Sequence, residues 1–179
     1  KNWDLIKILK ERYKKLLRTM QWNEIIRLSY ALIDMNDISR MYLTNDYNEI
    51  KEHFLTMDKN LPDSEYLEEF WQTFMKIRDE SYEQSTVEID FNDMIYLPVI
   101  KNLEIPVKSY YLMIDECQDL NLCQHTLVDN LIKQGDIYKW IAVGDRNQSI
   151  YGFSGAHSNS FDLFKEKENV VELPLDICY

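Results

Sequence analysis

Glycine and long apolar runs are both scarce in this 179-residue sequence. It contains four glycines, and none occurs before Gly135. A phosphate-cradling loop of the form Gly-x-x-x-x-Gly-Lys-Ser/Thr is therefore absent from it. No apolar run approaches the roughly 18 residues that would indicate a membrane-spanning helix. The sequence thus predicts neither a complete nucleotide-binding loop nor a membrane span.

Cationic residues and cysteines are also scarce. The 20 Lys and Arg residues are outnumbered by 31 Asp and Glu, which gives a formal net charge of −11. Such a charge disfavours a non-specific nucleic-acid or membrane binder, because attraction to phosphates requires Lys and Arg. Cys117, Cys123 and Cys178 form no CxxC pair. Three cysteines in this arrangement indicate free thiols in a reducing cytosol, and hence a cytoplasmic protein.

The few cations are concentrated at the start of the chain. Seven of them precede residue 20, namely Lys1, Lys7, Lys10, Arg12, Lys14, Lys15 and Arg18. Four of these share one face of a predicted helix. That face is either an ordinary solvated surface or a phosphate-contacting helix within a larger complex.

Residues 1–85 are predicted to form an all-helical insertion subdomain. Up to residue 84 this part has no glycine and one proline, Pro62. Helical spacing of apolar residues predicts helices over 2–20 and 23–33, and another from position 45 or 46. After Pro62, Asp63 or Ser64 can cap a longer helix. Its predicted buried stripe is Leu67, Phe70, Trp71, Phe74 and Ile77.

Residues 86–179 have a different pattern, which indicates an α/β fold. Two apolar runs, 110–114 and 140–143, predict strands buried on both faces. A helix between them that ends near Gly135 provides the crossover that a parallel pair needs. A helix from Asp90 to about Lys101, a helix over 158–167 and a third strand over 170–173 complete the prediction.

Two neighbouring acids follow the first predicted strand, as in a Walker B motif. Asp115 could hold Mg²⁺ through its water shell, since magnesium uses few protein ligands. Glu116 could orient and deprotonate a water that attacks a terminal phosphate. By themselves these residues are equally compatible with a strand end followed by a helix-capping acid.

The sequence around both predicted strands resembles the UvrD/Rep/PcrA family of superfamily 1 DNA helicases. The family motif Asp-Glu-x-Gln-Asp matches 115–119, and the family motif beginning Val-Gly-Asp-x-x-Gln-Ser-Ile-Tyr matches 143–156. The segment 90–95 is similar to the family's Asp-Phe-x-Asp-Leu-Ile. The resemblance implies a partial RecA-like parallel sheet over 86–179 behind the helical insertion. It also implies ATP and Mg²⁺ as cofactors, and movement on single-stranded DNA with duplex unwinding.

The resemblance also implies a role for each matched residue. It assigns Asp115 to Mg²⁺, Glu116 to catalysis as the base, and Gln148 to sensing the γ-phosphate and coupling it to DNA. Tyr151 and Phe153 are expected to stack on DNA bases, although packing beneath a loop is the alternative. The supporting residues are Gln118, Asp119 and Asp145.

The sequence departs from the family pattern in three respects. Ser154 replaces the family's Arg, 177–179 replaces the start of its Asn-Tyr-Arg motif, and the phosphate loop is missing. We therefore expect a fragment of a longer helicase that is inactive by itself. Two alternatives stay open: a degenerate relative that serves as a binding or scaffolding module, and a P-loop ATPase unrelated to DNA.

Overall fold

The computed structural model describes residues 2–57, 61–62, 64–83, 89–104, 106, 108–148 and 159–174. Eight α-helices, two short 3-10 helices and two strands lie within these residues. The α-helices are α1 (Asn2–Arg12), α2 (Lys14–Leu17), α3 (Trp22–Tyr42), α4 (Tyr47–Thr56), α5 (Leu67–Tyr82), α6 (Phe91–Ile100), α7 (Leu122–Gln134) and α8 (Ser160–Lys165). The strands are β1 (Lys108–Ile114) and β2 (Asp136–Ala142).

The first five helices surround one hydrophobic core. The predicted stripe of α5 is buried along its whole length, and it packs with apolar residues of α1, α3 and α4. Asp46 starts α4 as predicted, because its side chain accepts the backbone N–H groups of Asn48 and Glu49. No helix in the described residues is both long and apolar enough to cross a membrane.

Two predicted helix boundaries were wrong. The helix expected over 2–20 is interrupted at Tyr13, whose hydroxyl bonds Thr73 Oγ1 at 2.7 Å. Backbone bonds from Tyr13 to Leu9 and from Leu17 to Tyr13 carry the helical path across the interruption. The helix expected over 23–33 continues to Tyr42. Polar residues in this extension concealed it, because they are buried and hydrogen-bonded rather than exposed.

A buried arginine of α3 explains the first motif-like segment, 90–95. Asp90 and Asp93 form a capping box at the start of α6, each accepting the other's backbone N–H. The same two carboxylates accept bonds from Arg40 Nη1 at 2.9 and 2.8 Å, and Asp37 accepts one from Nη2 at 2.5 Å. The motif therefore serves to join α6 to α3.

The environment of Asp93 has a consequence for stability at low pH. Burial pushes the pKa of Asp93 upward, but the hydrogen bond from the Tyr82 hydroxyl, the Asp90 backbone and Arg40 together hold it below the ordinary 3.8. A carboxylate with a lowered pKa stabilises the fold above that ordinary value. This contribution is lost as the pH falls through the lower folded-state pKa.

The two strands are parallel, as predicted. Leu112 pairs with Trp140 and Ile114 with Ala142, so both strands end at the same edge. These four residues form the inner face of the sheet and pack with Phe164 and other residues of the second core. The helical crossover α7 connects the strands, and α3 contacts both α6 and α7.

Two expectations for the sheet were wrong. The strands are not buried on both faces, because the face that carries Tyr111, Met113 and Ile141 is open, with Met113 75% exposed. The third strand expected over 170–173 is irregular chain. Glu172 in this segment forms a salt bridge with Lys165 of α8, and Val171 is 78% exposed. Apolar composition there was not accompanied by burial.

Gly135 ends α7 as predicted, although it does not form a left-handed cap. Its φ of −83° is accessible to any residue, so no left-handed turn requires glycine here. A Cβ at this position would instead lie 2.6 Å from the carbonyl oxygen of Leu131. The division of the chain at residue 85 stays a prediction, since 84–88 lie outside the described residues.

We predict that Arg40→Met destabilises the fold by about 3–5 kcal/mol, because it leaves buried carboxylates without their cation. Urea unfolding followed by circular dichroism measures this loss. Arg27→Met is the matched control, because Arg27 is an exposed arginine of the same helix and should change stability by less than about 0.5 kcal/mol. Equal effects of the two substitutions would contradict the role given to Arg40.

Candidate active site

The carboxyl ends of β1 and β2 bring the two motif segments together. The parallel pairing continues past the strands, since Val143 N donates to Ile114 O at 2.8 Å and Cys117 N donates to Val143 O at 3.0 Å. Residues 115–119 and 143–148 therefore leave the sheet side by side. Ligands of open α/β sheets bind at this edge.

Glu116 occupies a strained backbone conformation at this edge. Its φ of 49° and ψ of 43° lie in the left-handed region, which residues with a Cβ seldom adopt. Asp115 supports the turn by accepting the Glu116 backbone N–H through Oδ1 at 3.0 Å. Both carboxylates are exposed to solvent. Strain of this kind persists where the surrounding structure holds it, and it is concentrated at functional sites.

Gln118 bridges the two loops. Its side chain is buried, with a residue exposure of 3%. Its Nε2 donates to Glu116 Oε2 at 2.7 Å, and its Oε1 accepts the backbone N–H of Asp145 at 3.1 Å. The amide group of Gln118 therefore donates a hydrogen bond to the first loop, at Glu116, and accepts one from the second loop, at Asp145.

Gly144 makes this bridge possible. A Cβ at position 144 would lie 2.4 Å from Gln118 Oε1 and 2.8 Å from Cys117 Sγ. Real Cβ atoms essentially never approach other atoms this closely. Only glycine lets the two loops pack at the separation that the Gln118 bonds require.

Asp145 extends the connection to Gln148. Its Oδ1 accepts the Asn147 backbone N–H at 2.9 Å, and its Oδ2 accepts Gln148 Nε2 at 2.9 Å. A continuous path of hydrogen bonds thus runs from Glu116 through Gln118 and Asp145 to Gln148. The structure brings the four predicted residues together, although their catalytic roles stay predictions.

A buried polar pair beneath the site was missed from the sequence. Ser160 Oγ donates to the carbonyl oxygen of Cys117 at 2.5 Å, and His125 Nε2 lies 2.7 Å from the same Oγ. Because the single hydroxyl proton is directed at Cys117, His125 must donate its Nε2 proton to Ser160. No local pattern indicated that α7 and α8 would hold the Glu116 turn together.

Asp119 follows the Glu116 turn, and its backbone N–H donates to the carbonyl oxygen of Glu116 at 2.9 Å. Burial, and then the charge of Glu116, raise the pKa of its carboxyl group. Its Oδ1 is buried and has no hydrogen-bond partner among the described residues. Tyr151 and Phe153, the expected DNA-stacking residues, lie outside the described residues.

The two exposed carboxylates suit Mg²⁺ better than a metal held by protein ligands alone. Magnesium is bound through one or two carboxylates, with waters and substrate phosphates completing its shell. Asp115 and Glu116 offer such a pair at a strand end. Among the described residues, no group of three or more His, Cys, Asp or Glu side chains could hold a metal ion.

A family comparison covers nearly the whole chain. The model of the UvrD/REP helicase N-terminal domain matches residues 4–169, which includes both loops of the site. The chain belongs to the UvrD/REP helicase family. The resemblance inferred from its two motifs is therefore confirmed.

Curated relatives of this UvrD/REP chain carry helicase names. It is 36% identical over 85 residues to the ATP-dependent DNA helicase Rep of Escherichia coli, covering 44% of this chain and 12% of that protein. It is 35% identical over 85 residues to the ATP-dependent DNA helicase PcrA of Leuconostoc citreum, covering 44% of this chain and 11% of that protein. A helicase/nuclease relative from Syntrophomonas wolfei is 37% identical over 109 residues, which cover 58% of this chain and 8% of that protein. The aligned part is thus a small fraction of each relative. No solved structure matches the chain significantly.

We predict that Gly144→Ala displaces Gln118 and destabilises this UvrD/REP chain by about 1–3 kcal/mol, the usual cost of overpacking. Urea unfolding measures the change. The double variant Gly144→Ala/Gln118→Ala, which removes the nearest clashing atom, should lose less stability than the sum of the two single variants. Strictly additive losses would show that the close approach is not as described.

Proposed function

We propose that this chain is the part of an ATP-dependent DNA helicase that links ATP hydrolysis to DNA contact. The observation that carries the proposal is the hydrogen-bonded path from Glu116 to Gln148. It supports a site in which the water-activating group and the phosphate-sensing group move as one unit. The family membership and the names of the relatives favour the same function.

Glu116 is assigned the role of general base. Gln118 donates to its Oε2, so Oε1 is the oxygen proposed to accept a proton from the attacking water. The water oxygen bonds to the γ-phosphorus as the bond to the ADP oxygen breaks, and phosphate and ADP are released. The carboxylate of Glu116 is exposed to solvent, so it is accessible to a water and a nucleotide.

Mg²⁺ would be held by Asp115 through its water shell, with Glu116 beside it. When bound, the ion would neutralise charge on the nucleotide's phosphate oxygens. The positive groups that complete phosphoryl transfer, a phosphate loop and an Arg finger, are assigned to other parts of the longer protein. An Arg finger alone contributes about 10³–10⁵ in rate. The chain by itself is therefore proposed to be inactive.

Gln118 and Asp145 are assigned a positioning role between the two loops. Asp145 holds the amide of Gln148, and Gln118 holds the backbone of Asp145. A shift of Gln148 toward or away from the γ-phosphate would thus move Glu116 through these bonds. A shift of Glu116 would move Gln148 in the same way. Tyr151 and Phe153 follow Gln148 by a few residues and are proposed to carry that shift to single-stranded DNA by stacking on its bases.

We predict that Glu116→Gln in the longer protein lowers the kcat for ATP at least about 100-fold, as loss of a general base does. A coupled ADP-release assay with saturating single-stranded DNA measures it. Glu166→Gln, which removes an exposed carboxylate of the same charge, is the matched control and should leave kcat unchanged. Retained turnover in Glu116→Gln would overturn the assignment of the base.

We predict that Gln118→Leu lowers the DNA stimulation of ATP turnover more than it lowers basal turnover. Leucine keeps much of the buried volume but removes both bonds of the bridge, so the loops lose their connection. The measurement is the ratio of kcat with and without single-stranded DNA, together with the KM for ATP. A proportional fall in both rates would instead indicate a purely structural role.

A binding or scaffolding module is the second candidate function. The open face of the sheet, with Tyr111, Met113 and Ile141 exposed, favours it, because such a face is available to a partner. The same Glu116→Gln assay separates the candidates. A scaffolding module would show no ATP turnover before or after the substitution.

A further inference from the structure

Cys117 anchors the turn that carries Glu116. It is 1% exposed, and both polar groups of its backbone bond to other parts of the fold. Its N–H donates to the carbonyl oxygen of Val143 at 3.0 Å, and its own carbonyl oxygen accepts the Ser160 hydroxyl at 2.5 Å. The turn is therefore held from the β2 side and from α8, at the residue that directly follows Glu116.

This anchoring matters because Glu116 has a strained backbone. Its φ of 49° and ψ of 43° are unfavourable for a residue with a Cβ, so bonds from outside the turn must maintain them. The N–H bond of Cys117 fixes the peptide plane before that residue, and the bond to its carbonyl fixes the plane after it. Release of either plane would let the backbone at 116 rotate and carry the carboxylate away from its place.

Ser160 is itself held firmly. It is the first residue of α8 and is 1% exposed. One turn later, Phe164 packs in the second core, with its ring centre 5.9 Å from that of Trp140. Just beyond the helix, Lys167 forms a salt bridge with Asp129 of α7. The hydroxyl is thus carried by a helix that is fixed to both β2 and α7.

His125 sets the direction of the Ser160 proton. Its Nε2 lies 2.7 Å from Ser160 Oγ, and its ring centre lies 4.7 Å from that of Phe164. A serine hydroxyl has one proton and two lone pairs, and it rotates to suit its neighbours. A donor at Nε2 occupies a lone pair, so the proton points at the carbonyl of Cys117. The three residues therefore form one chain of hydrogen bonds with a single direction.

We propose that Ser160 and His125 are positioning residues for ATP hydrolysis. His125 orients the Ser160 hydroxyl, and that hydroxyl holds the backbone from which the Glu116 carboxylate projects. Both residues are buried beneath the turn, so they act through it rather than on the nucleotide. The inference rests on the proposed role of Glu116 as general base. It adds a connection that is independent of Gln118, which holds the side chain of Glu116 rather than its backbone.

ATP turnover of the longer protein with saturating single-stranded DNA tests the role of Ser160. Ser160→Ala should lower kcat about 5- to 50-fold, because it takes the donor from a buried carbonyl beside the base. The KM for ATP should stay within about 2-fold, since the lost interaction positions the base and does not bind the nucleotide.

Two substitutions of His125 test whether it acts through Ser160. His125→Leu should lower kcat as Ser160→Ala does. His125→Gln should keep at least about half of kcat, because its amide nitrogen is a donor at the same number of bonds from the backbone. Ser160→Ala/His125→Leu should be no slower than Ser160→Ala, since residues that act as a unit are not additive. Losses that multiply, or equal losses in His125→Leu and His125→Gln, would overturn the proposal.

Ser29→Ala is the matched control. Ser29 is a buried serine of α3, 4% exposed, whose hydroxyl donates to the carbonyl oxygen of Ile25 at 2.7 Å. Its substitution removes the same kind of bond far from the turn and should change kcat by less than about 2-fold. Equal losses in Ser29→Ala and Ser160→Ala would overturn the positioning role. The His125 pair decides the question without Ser160→Ala, should that variant not fold.

Hydrogen exchange in the 179-residue chain tests the same claim without ATP. In Ser160→Ala the Cys117 amide should exchange at least about 10-fold faster, while the Val143 amide, bonded to Ile114 O at 2.8 Å, should be unchanged. Equal loss of protection at both amides would indicate general destabilisation and overturn the proposal. An unaffected Cys117 amide, with turnover that Glu116→Gln abolishes, would overturn this inference alone. Absence of turnover in the unsubstituted longer protein would overturn the proposed function and this inference together.

Discussion

Two backbone hydrogen bonds beyond the ends of the strands hold the two loops of the candidate site next to each other. They run from Val143 to the carbonyl of Ile114 and from Cys117 to the carbonyl of Val143, at 2.8 and 3.0 Å. Through them the parallel pairing continues for a few residues beyond the strands. The acidic turn and the loop of Gln148 consequently start from adjacent points, and a single side chain, that of Gln118, is long enough to connect them.

Charged and polar side chains join α3 to both α5 and α6. Arg40 connects α3 to the capping box of α6, and Arg78 bonds Asn36 Oδ1 at 2.9 Å within the same polar layer. Buried arginines are costly unless every partner is in place. This layer therefore fixes one arrangement of α3, α5 and α6, where apolar packing alone would tolerate several. In this chain the segment 90–95 supplies two carboxylates of this arrangement.

Periodicity predicted the elements whose burial follows simple rules. The stripe of α5, the cap of α4 and the parallel order of β1 and β2 were all correctly expected. The errors arose where a distant contact overrides local pattern. Asn36 and Ser39 are buried and accept bonds from Arg78, and Arg40 is buried against carboxylates, so the predicted α3 ended too early. The segment 170–173 looked like a strand but has no strand beside it in the described part of the chain.

The site was partly predictable for the same reason. Asp115, Glu116 and Gln148 follow apolar runs that end at one sheet edge, and that topology could be inferred from sequence spacing. The contribution of Gly144 could not be inferred, because it depends on a Gln118 oxygen that would lie 2.4 Å from an added Cβ. The pair of His125 and Ser160 was equally hidden, since the two residues lie 35 positions apart.

Hydrogen exchange at the Asp145 backbone amide tests the central claim most directly. This amide lies in an exposed loop, and its described acceptor is the side chain of Gln118. NMR of the chain should find it protected, and Gln118→Leu should remove that protection while the Val143 amide, bonded to Ile114, stays protected. An Asp145 amide that exchanges freely in the unsubstituted chain, or that is unaffected by Gln118→Leu, would contradict the account.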